Sequence, residues 1–201
     1  MPRDLRQYRI FIASPSGLEI ERELLCEFIQ KYNAIEADSR GLHFKIVRWE
    51  DIPPEYGRPQ DTINRCLVEC DYFILVLWNR WGMDAGGGGP QDHSGSEEEF
   101  RLAEECLRDS NRPMRNIVVY FKVVDPTPAA DSDAQFRRVA EFKTELESNH
   151  KLMYGTFSNP GEFSTRMWRH LAQWTRDNEK LVDMPKGATV ADITDPTQPH
   201  N

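Results

Sequence analysis

Tyr72–Trp78, with the sequence YFILVLW, is the stretch that decides the fold class of this chain. It is the most apolar run in the sequence. A continuous apolar run of this length is typical of a strand that is covered on both faces of a sheet. We therefore expect it to be the central strand of an α/β domain.

The segments on either side alternate between strand and helix patterns. Four further short apolar runs predict strands, at residues 8–14, 44–49, 116–123 and 152–157. Periodic apolar residues between them predict helices near residues 18–32, 63–70, 96–107, 136–146 and 162–181. This alternation predicts a five-stranded parallel sheet with right-handed crossovers and helices on both faces, which is a three-layer sandwich. Residues 1–183 would form this one domain, and the segment 184–201, rich in proline and small residues, is expected to be a flexible tail or linker.

The composition excludes several classes of protein. A net charge of −8 without a basic stripe argues against a nucleic-acid binder, because phosphate contacts need a basic surface. No apolar run approaches the length of a membrane span, and no secretory signal opens the chain. The four cysteines fit reduced thiols of a cytoplasmic protein, and no spacing of Cys and His predicts a metal site.

A ligand cleft is expected beyond the carboxyl ends of the strands, where the strand order switches. Three segments with turn or loop composition would meet there: Ser14–Gly17, Asp51–Gly57 and Trp78–Ser96. The last of these leads into the helix start Ser96-Glu97-Glu98-Glu99, and its glycine run Gly86–Gly89 suits a lid. The sequence therefore predicts an acidic helix start beside the cleft.

Five motifs together resemble the TIR-like domain family found at the N-terminus of STAND-type NTPases, including bacterial antiphage proteins. They are RIFIASPS at residues 9–16, GRPQDTI at 57–63, DYFI at 71–74, RWG at 80–82 and SGSEEEF at 94–100. The resemblance covers roughly residues 8–175. It implies a TIR-like, flavodoxin-like sandwich, and it extends to TIR domains that cleave NAD and to nucleoside deoxyribosyltransferases.

The resemblance also implies a chemistry. Both enzyme groups use a glutamate near the start of this third helix, and the match places that role on Glu99, with Glu98 as the neighbouring candidate. A fixed carboxylate can stabilise, or attack, the oxocarbenium-like ribosyl centre that forms when an N-glycosidic bond breaks. NAD would then be the substrate, with no cofactor and no metal.

The same acids also fit a purely structural role. Carboxylates at a helix N-terminus are stabilised by the helix dipole, and Ser96 with Glu99 has the spacing of a capping box. In this interpretation Ser96 caps the helix, while Glu97 and Glu98 are dipole-stabilised acids that face solvent or help to cap the helix. Only one or two of three consecutive glutamates can face a cleft, because successive residues project about 100° apart.

The first turn offers further ligand-binding candidates. Ser14, Pro15 and Ser16 follow the first strand, where hydroxyls and backbone N–H groups would hold phosphate or ribose. The alternative is a capped turn. Glu21 and Arg22, just beyond it, are expected to be an ordinary solvent-facing pair.

Three other residues complete the expected ligand set. Arg80 and Trp81 follow the central strand, where the cation would pair with an acid or a phosphate and the indole would stack on a base or pack in the core. Ser96 would line the same cleft. His93 in the preceding loop is expected to be solvated.

Three functions follow as hypotheses. The first is an NAD-consuming effector in antiphage or stress defence, activated by self-association or by fusion to an NTPase or sensor region. The second is a non-catalytic interaction module, which the absence of the Ser-x-Trp-Cys pattern before Glu99 favours. The third is a nucleoside or nucleotide N-glycosidase or deoxyribosyltransferase.

Overall fold

A computed structural model describes residues 4–53, 55–82, 94–124, 132–149 and 152–182. It confirms an α/β fold with one five-stranded, all-parallel sheet. The strands are β1 (Arg6–Ala13), β2 (Leu42–Val47), β3 (Tyr72–Leu77), β4 (Asn116–Lys122) and β5 (Tyr154–Phe157). The principal helices are α1 (Glu19–Tyr32), α2 (Pro59–Leu67), α3 (Gly95–Arg108), α4 (Ser132–Asn149) and α5 (Pro160–Val182).

The apolar run Tyr72–Trp78 forms the central strand, as predicted. The strand order is β2-β1-β3-β4-β5, and all six residues of β3 are buried. The register sets Ile10 beside Tyr72 on one side of β3, and Leu75 beside Val119 on the other. Because the order reverses between β1 and β3, the cleft of such a sheet opens beyond their carboxyl ends.

Helices cover both faces of the sheet, and the side chains of each strand alternate between two cores. On one face α1 and α5 pack against the sheet, and Trp174 stacks on Tyr72 with ring centroids 4.0 Å apart. On the other face α2, α3 and α4 pack, and Phe100 contacts Phe73, which stacks on Phe11. These contacts fix α3, and with it the acidic helix start, relative to the ends of β1 and β3.

The chain between α1 and β2 departs from the sequence expectation. The helical path continues through a π-helical turn at Asn33–Ala37 and a 3₁₀ turn at Asp38–Arg40. The Asn33 side chain donates to the carbonyl of Phe44 at 2.8 Å and accepts from its N–H at 2.9 Å. It thereby pairs with backbone groups of an edge strand, which are otherwise open to pairing with another chain.

The described residues end at 182, next to the predicted domain boundary at 183. No helix in these residues combines the length and apolar character needed to cross a bilayer. The predicted tail at 184–201, the glycine run Gly86–Gly89 and His93 lie outside the described residues.

Candidate functional site

Three segments meet at the carboxyl ends of β1 and β3. A Cβ placed on Gly82, after β3, would lie 3.2 Å from Cβ of Ser94 and 3.8 Å from Cβ of Pro15. The indole N–H of Trp78 donates to the carbonyl of Ser16 at 3.2 Å. The loop after β1, the loop after β3 and the start of α3 are therefore in mutual contact, as the sequence predicts for Ser14–Gly17 and Trp78–Ser96.

The cap of α3 is Ser94, which corrects the assignment of Ser96. The helix begins at Gly95, and the Ser94 hydroxyl accepts from the backbone N–H of Glu97 at 3.2 Å. The capping residue thus stands two positions earlier than expected, and Ser96 lies buried in the first turn. Shifting the cap also changes which glutamate sits at the capping-box position, from Glu99 to Glu97.

Glu97 does not face solvent, contrary to one of its two expected placements. Its side chain is buried, and its Oε2 accepts from the indole N–H of Trp81 at 3.1 Å. Arg138 of α4 lies 3.4 Å from the same carboxylate, and its guanidinium covers the Trp81 ring. Glu97 therefore ties α3 to α4 and to the loop after β3.

Glu98 forms an ion pair with Arg58, at the start of the neighbouring helix α2. The guanidinium of Arg58 donates to Glu98 Oε1 at 3.1 Å and to Oε2 at 2.6 Å. Asn64 donates to Oε1 at 2.7 Å. A carboxylate held by two donors of one arginine and by an amide is well suited to a positioning role.

Glu99, like Glu97, is buried, with only 7% of its surface exposed, and it has no cation beside it among the described residues. Its Oε1 accepts one hydrogen bond, from the Gln60 amide at 3.2 Å. Burial raises the pKa of Glu99 from 4.5 to about 7, and the charge on Glu98 adds to the rise, whereas the Gln60 hydrogen bond opposes it. Such a carboxylate changes charge near neutral pH, as groups that do chemistry often do.

The loop after β1 is held by Arg22 of α1. Glu21 and Arg22 are buried, so the prediction of a solvent-facing pair is wrong. Arg22 donates to the hydroxyl of Ser14 at 2.8 Å and pairs with Glu50, beyond β2, at 3.1 Å. Lys122, at the end of β4, pairs with Glu21 at 2.6 Å. The two ion pairs and the Arg22–Ser14 hydrogen bond join the ends of β2, β4 and β1 to α1.

The carboxylate of Glu19 already occupies the N-terminus of α1. The backbone N–H of Gly17 donates to the Glu19 carboxylate at 2.8 Å, and this hydrogen bond lowers the pKa of Glu19. Ser14 Oγ faces Arg22, Pro15 is buried, and Ser16 is exposed. A ligand role for Ser14, Pro15 and Ser16 stays a prediction. A phosphate that used the Gly17 N–H would have to displace Glu19.

Arg80 and Trp81 have different surroundings. Arg80 is exposed, with its guanidinium 5.9 Å from the centre of the Trp78 ring, and it pairs with no carboxylate among the described residues. Trp81 is buried edge-on against Phe142, at 5.0 Å between ring centroids. The indole therefore packs in the core, which is the second of its two expected roles, and its ring is not presented for stacking on a base.

A groove lies away from this site. It has a volume of about 410 Å³, lies between α1 and β2, and includes Cys26, Asn33, His43 and Arg48 in its lining. None of the predicted site residues lines it.

Residues 9–172 match a protein family described as Domain of unknown function (DUF4062). The chain belongs to the DUF4062 family. The match covers every strand from residue 9 onward and includes all the predicted site residues. No curated protein matches the chain.

Among solved structures, the DUF4062 chain is similar to a mutant of the PilB minor pilin from Streptococcus sanguinis. The sequence identity is 11% and the TM-score 0.40, over 92% of this chain and 65% of the pilin chain. The DUF4062 chain thus spans less than two thirds of that protein. A likeness at this level carries no argument about function.

Arg58, Gln60 and Asn64 are site residues that sequence reasoning missed. They stand in and just after the GRPQDTI segment, which was noted for its resemblance and given no role. The signal that would have found them is their spacing on α2. Residues 60 and 64 are one turn apart and so share a helix face.

Replacing Gly17 by alanine is expected to destabilise the DUF4062 domain by about 2 kcal/mol. Gly17 has a φ of +89°, and an added Cβ would lie 2.4 Å from an atom of the Trp78 ring. Gly41→Ala is the matched control, because Gly41 has a φ of +75° and open space around it. Urea unfolding should show the larger loss for Gly17→Ala. Equal losses would mean that the contact with Trp78 contributes nothing.

Replacing Glu97 by glutamine is expected to cost about 1 kcal/mol. The amide oxygen can still accept from Trp81, but the ion pair with Arg138 is lost. Glu97→Leu should cost about 1–3 kcal/mol more, because it leaves the buried indole N–H without an acceptor. Urea unfolding of both variants measures this difference. A leucine variant as stable as the glutamine variant would contradict the assigned role of Glu97.

Proposed function

We propose that this DUF4062 domain is a TIR-like NAD-consuming effector that cleaves the nicotinamide N-glycosidic bond. The observation that carries the proposal is the state of Glu99. It is a buried carboxylate with a pKa near 7 in the first turns of α3, where its Oε1 accepts from Gln60 of α2. Burying a carboxylate with a single hydrogen bond costs stability, so a reactive role offers a reason for it.

The reaction needs one carboxylate and no acid. The bond between C1′ of the ribose and the pyridinium nitrogen breaks, and its electron pair returns to the nitrogen, so nicotinamide leaves as a neutral molecule. Glu99 then stabilises the positive ribosyl centre or forms a bond to C1′. Water adds at C1′ and releases one proton, which gives ADP-ribose. Attack by another group of the ADP-ribose instead gives a cyclised product.

The surroundings of the other two glutamates support the choice of Glu99. Glu97 is paired with Arg138 and Trp81, and Glu98 with Arg58 and Asn64. Each of those carboxylates has a cation beside it, which favours its charged form and engages its oxygens. Among the described residues, no group donates to Oε2 of Glu99. We therefore assign the reacting oxygen to Glu99 and give Glu98 no direct contact with the substrate.

We assign activation to self-association, in a role in antiphage or stress defence that rests on the TIR-like resemblance. The test is to incubate the protein with NAD, both dispersed and fused to an oligomerising domain, and to identify the products by chromatography. Nicotinamide and ADP-ribose, or a cyclised product, should form faster in the clustered state. Intact NAD in both states would overturn the proposal. A parallel panel of nucleosides separates NAD cleavage from nucleoside N-glycosidase activity.

A second candidate is a non-catalytic interaction module. Two aromatic side chains between β2 and α2 favour it: Tyr56 is fully exposed, and half of Trp49 is exposed. Exposed aromatics of this kind are common at protein–protein interfaces. Concentration-dependent self-association without NAD turnover, lost in Tyr56→Ser, would support the module. Turnover in the clustered state would instead make this surface part of the activation.

A further inference from the structure

The amide of Gln60 lies buried between α2 and the start of α3. Its Nε2 donates to Oε1 of Glu99 at 3.2 Å and to Oδ1 of Asn64 at 3.2 Å. Both N–H groups of the amide are thus used. On the carboxylate, the hydrogen bond holds one oxygen and leaves Oε2 without a donor among the described residues.

The orientation of Gln60 follows from its neighbours. An ionised carboxylate only accepts hydrogen bonds, so Asn64 must turn its NH₂ group toward Glu98, which it contacts at 2.7 Å. Its carbonyl oxygen then faces Gln60 and takes one of the two N–H groups. The second N–H of the same nitrogen reaches Glu99. Arg58 anchors this chain of contacts through its two hydrogen bonds to Glu98.

Gly95 makes room for the Gln60 amide. A Cβ added to Gly95 would lie 2.9 Å from Oε1 of Gln60, closer than side-chain atoms ordinarily approach. The first residue of α3 thus allows the amide to lie against the helix start. Any larger residue there would push the end of the Gln60 side chain aside.

We propose that Gln60 is the positioning residue of this site, holding Oε1 of Glu99 so that Oε2 is presented to the ribosyl carbon of the substrate. Asn64, Glu98 and Arg58 hold Gln60 in the orientation that does so. The substrate in this inference rests on the proposed function, whereas the orientation of Glu99 does not. Glu98 then acts through Gln60 and not on the substrate.

The test replaces Gln60 by methionine, which has a similar shape and no donor. Since the hydrogen bond favours the charged form of Glu99, the midpoint of Glu99 in a carboxyl ¹³C NMR titration should rise by about one pH unit. The kcat for NAD should fall roughly tenfold to a hundredfold, with KM changed less than about threefold. Gln173→Met, at an exposed glutamine of α5, is the matched control and should change neither quantity.

Gly95→Ala is the second variant, and it leaves Gln60 itself intact. It should shift the Glu99 midpoint in the same direction by a smaller amount, because the amide is displaced and not removed. A folded Gln60→Met protein with an unchanged Glu99 midpoint would overturn the inference. If the wild-type protein leaves NAD intact, the proposed function fails, and the NMR titration still decides the role of Gln60.

Discussion

Replacing Glu99 by glutamine is expected to lower NAD cleavage by clustered protein at least about a thousandfold, with the fold preserved. Glutamine has the same shape and keeps an oxygen that can accept from Gln60. It carries no charge, however, so it can neither stabilise a ribosyl cation nor bond to it. The loss should appear in kcat, since the carboxylate acts mainly on the transition state.

The pH dependence of the wild-type rate gives this prediction a second readout. Glu99 must be ionised to act, and its pKa lies near 7. The rate should therefore rise from pH 6 to pH 8 and fall about tenfold per pH unit on the acid side. Glu105→Gln, at an exposed position of the same helix, should keep the wild-type rate and profile. A Glu99→Gln protein that cleaves NAD as fast as the wild type would remove Glu99 from the mechanism.

The same substitution is expected to stabilise the protein at alkaline pH. The pKa of Glu99 is 4.5 as an ordinary side chain and about 7 in the fold, so the folded state binds the proton more tightly than the unfolded state. Stability should therefore decline as the pH rises from about 4.5 to about 7, and stay low above that. Above pH 7 the cost is on the order of 3 kcal/mol, because each pH unit is worth about 1.4 kcal/mol.

Urea unfolding at pH 5 and pH 8 measures this effect. Glu99→Gln should exceed the wild type in free energy of unfolding by on the order of 3 kcal/mol at pH 8, and by much less at pH 5. Glu105→Gln again serves as the control, with no pH-dependent gain expected. A Glu99→Gln protein that is less stable than the wild type at pH 8 would mean that the charge of Glu99 stabilises the fold. That result would favour the structural interpretation of the acidic helix start.

Together, the two effects separate a functional residue from a structural one. A carboxylate with a purely structural role should stabilise the fold, and its replacement should not change the catalytic rate. We expect this of Glu97, with its partners Trp81 and Arg138. Glu99 is expected to lower stability and support activity. Opposed effects of this kind are typical of residues at functional sites.

The sheet could be predicted from the sequence because its signals are local. The run Tyr72–Trp78 has no polar residue, so its central position followed directly. The placement of α3 at the strand ends followed from the alternation of strands and helices. Each strand and helix boundary then differs from the sequence expectation by only a few residues.

The site could be predicted only in part, because its contacts are not local. Glu99 receives its hydrogen bond from Gln60, 39 residues earlier, and Glu98 its ion pair from Arg58. The spacing of residues within α3 gives no information about partners on α2. The cap was misplaced because Ser94 and Ser96 both precede glutamates by three residues, and only the backbone geometry chooses between them.

The most direct test is to measure the nicotinamide released from NAD by clustered wild-type protein and clustered Glu99→Gln protein, side by side at pH 8. The wild type should release one nicotinamide for each NAD consumed, and the variant should release nicotinamide at most about a thousandth as fast. Intact NAD with the wild-type protein, or equal release by the two proteins, would contradict NAD cleavage by Glu99.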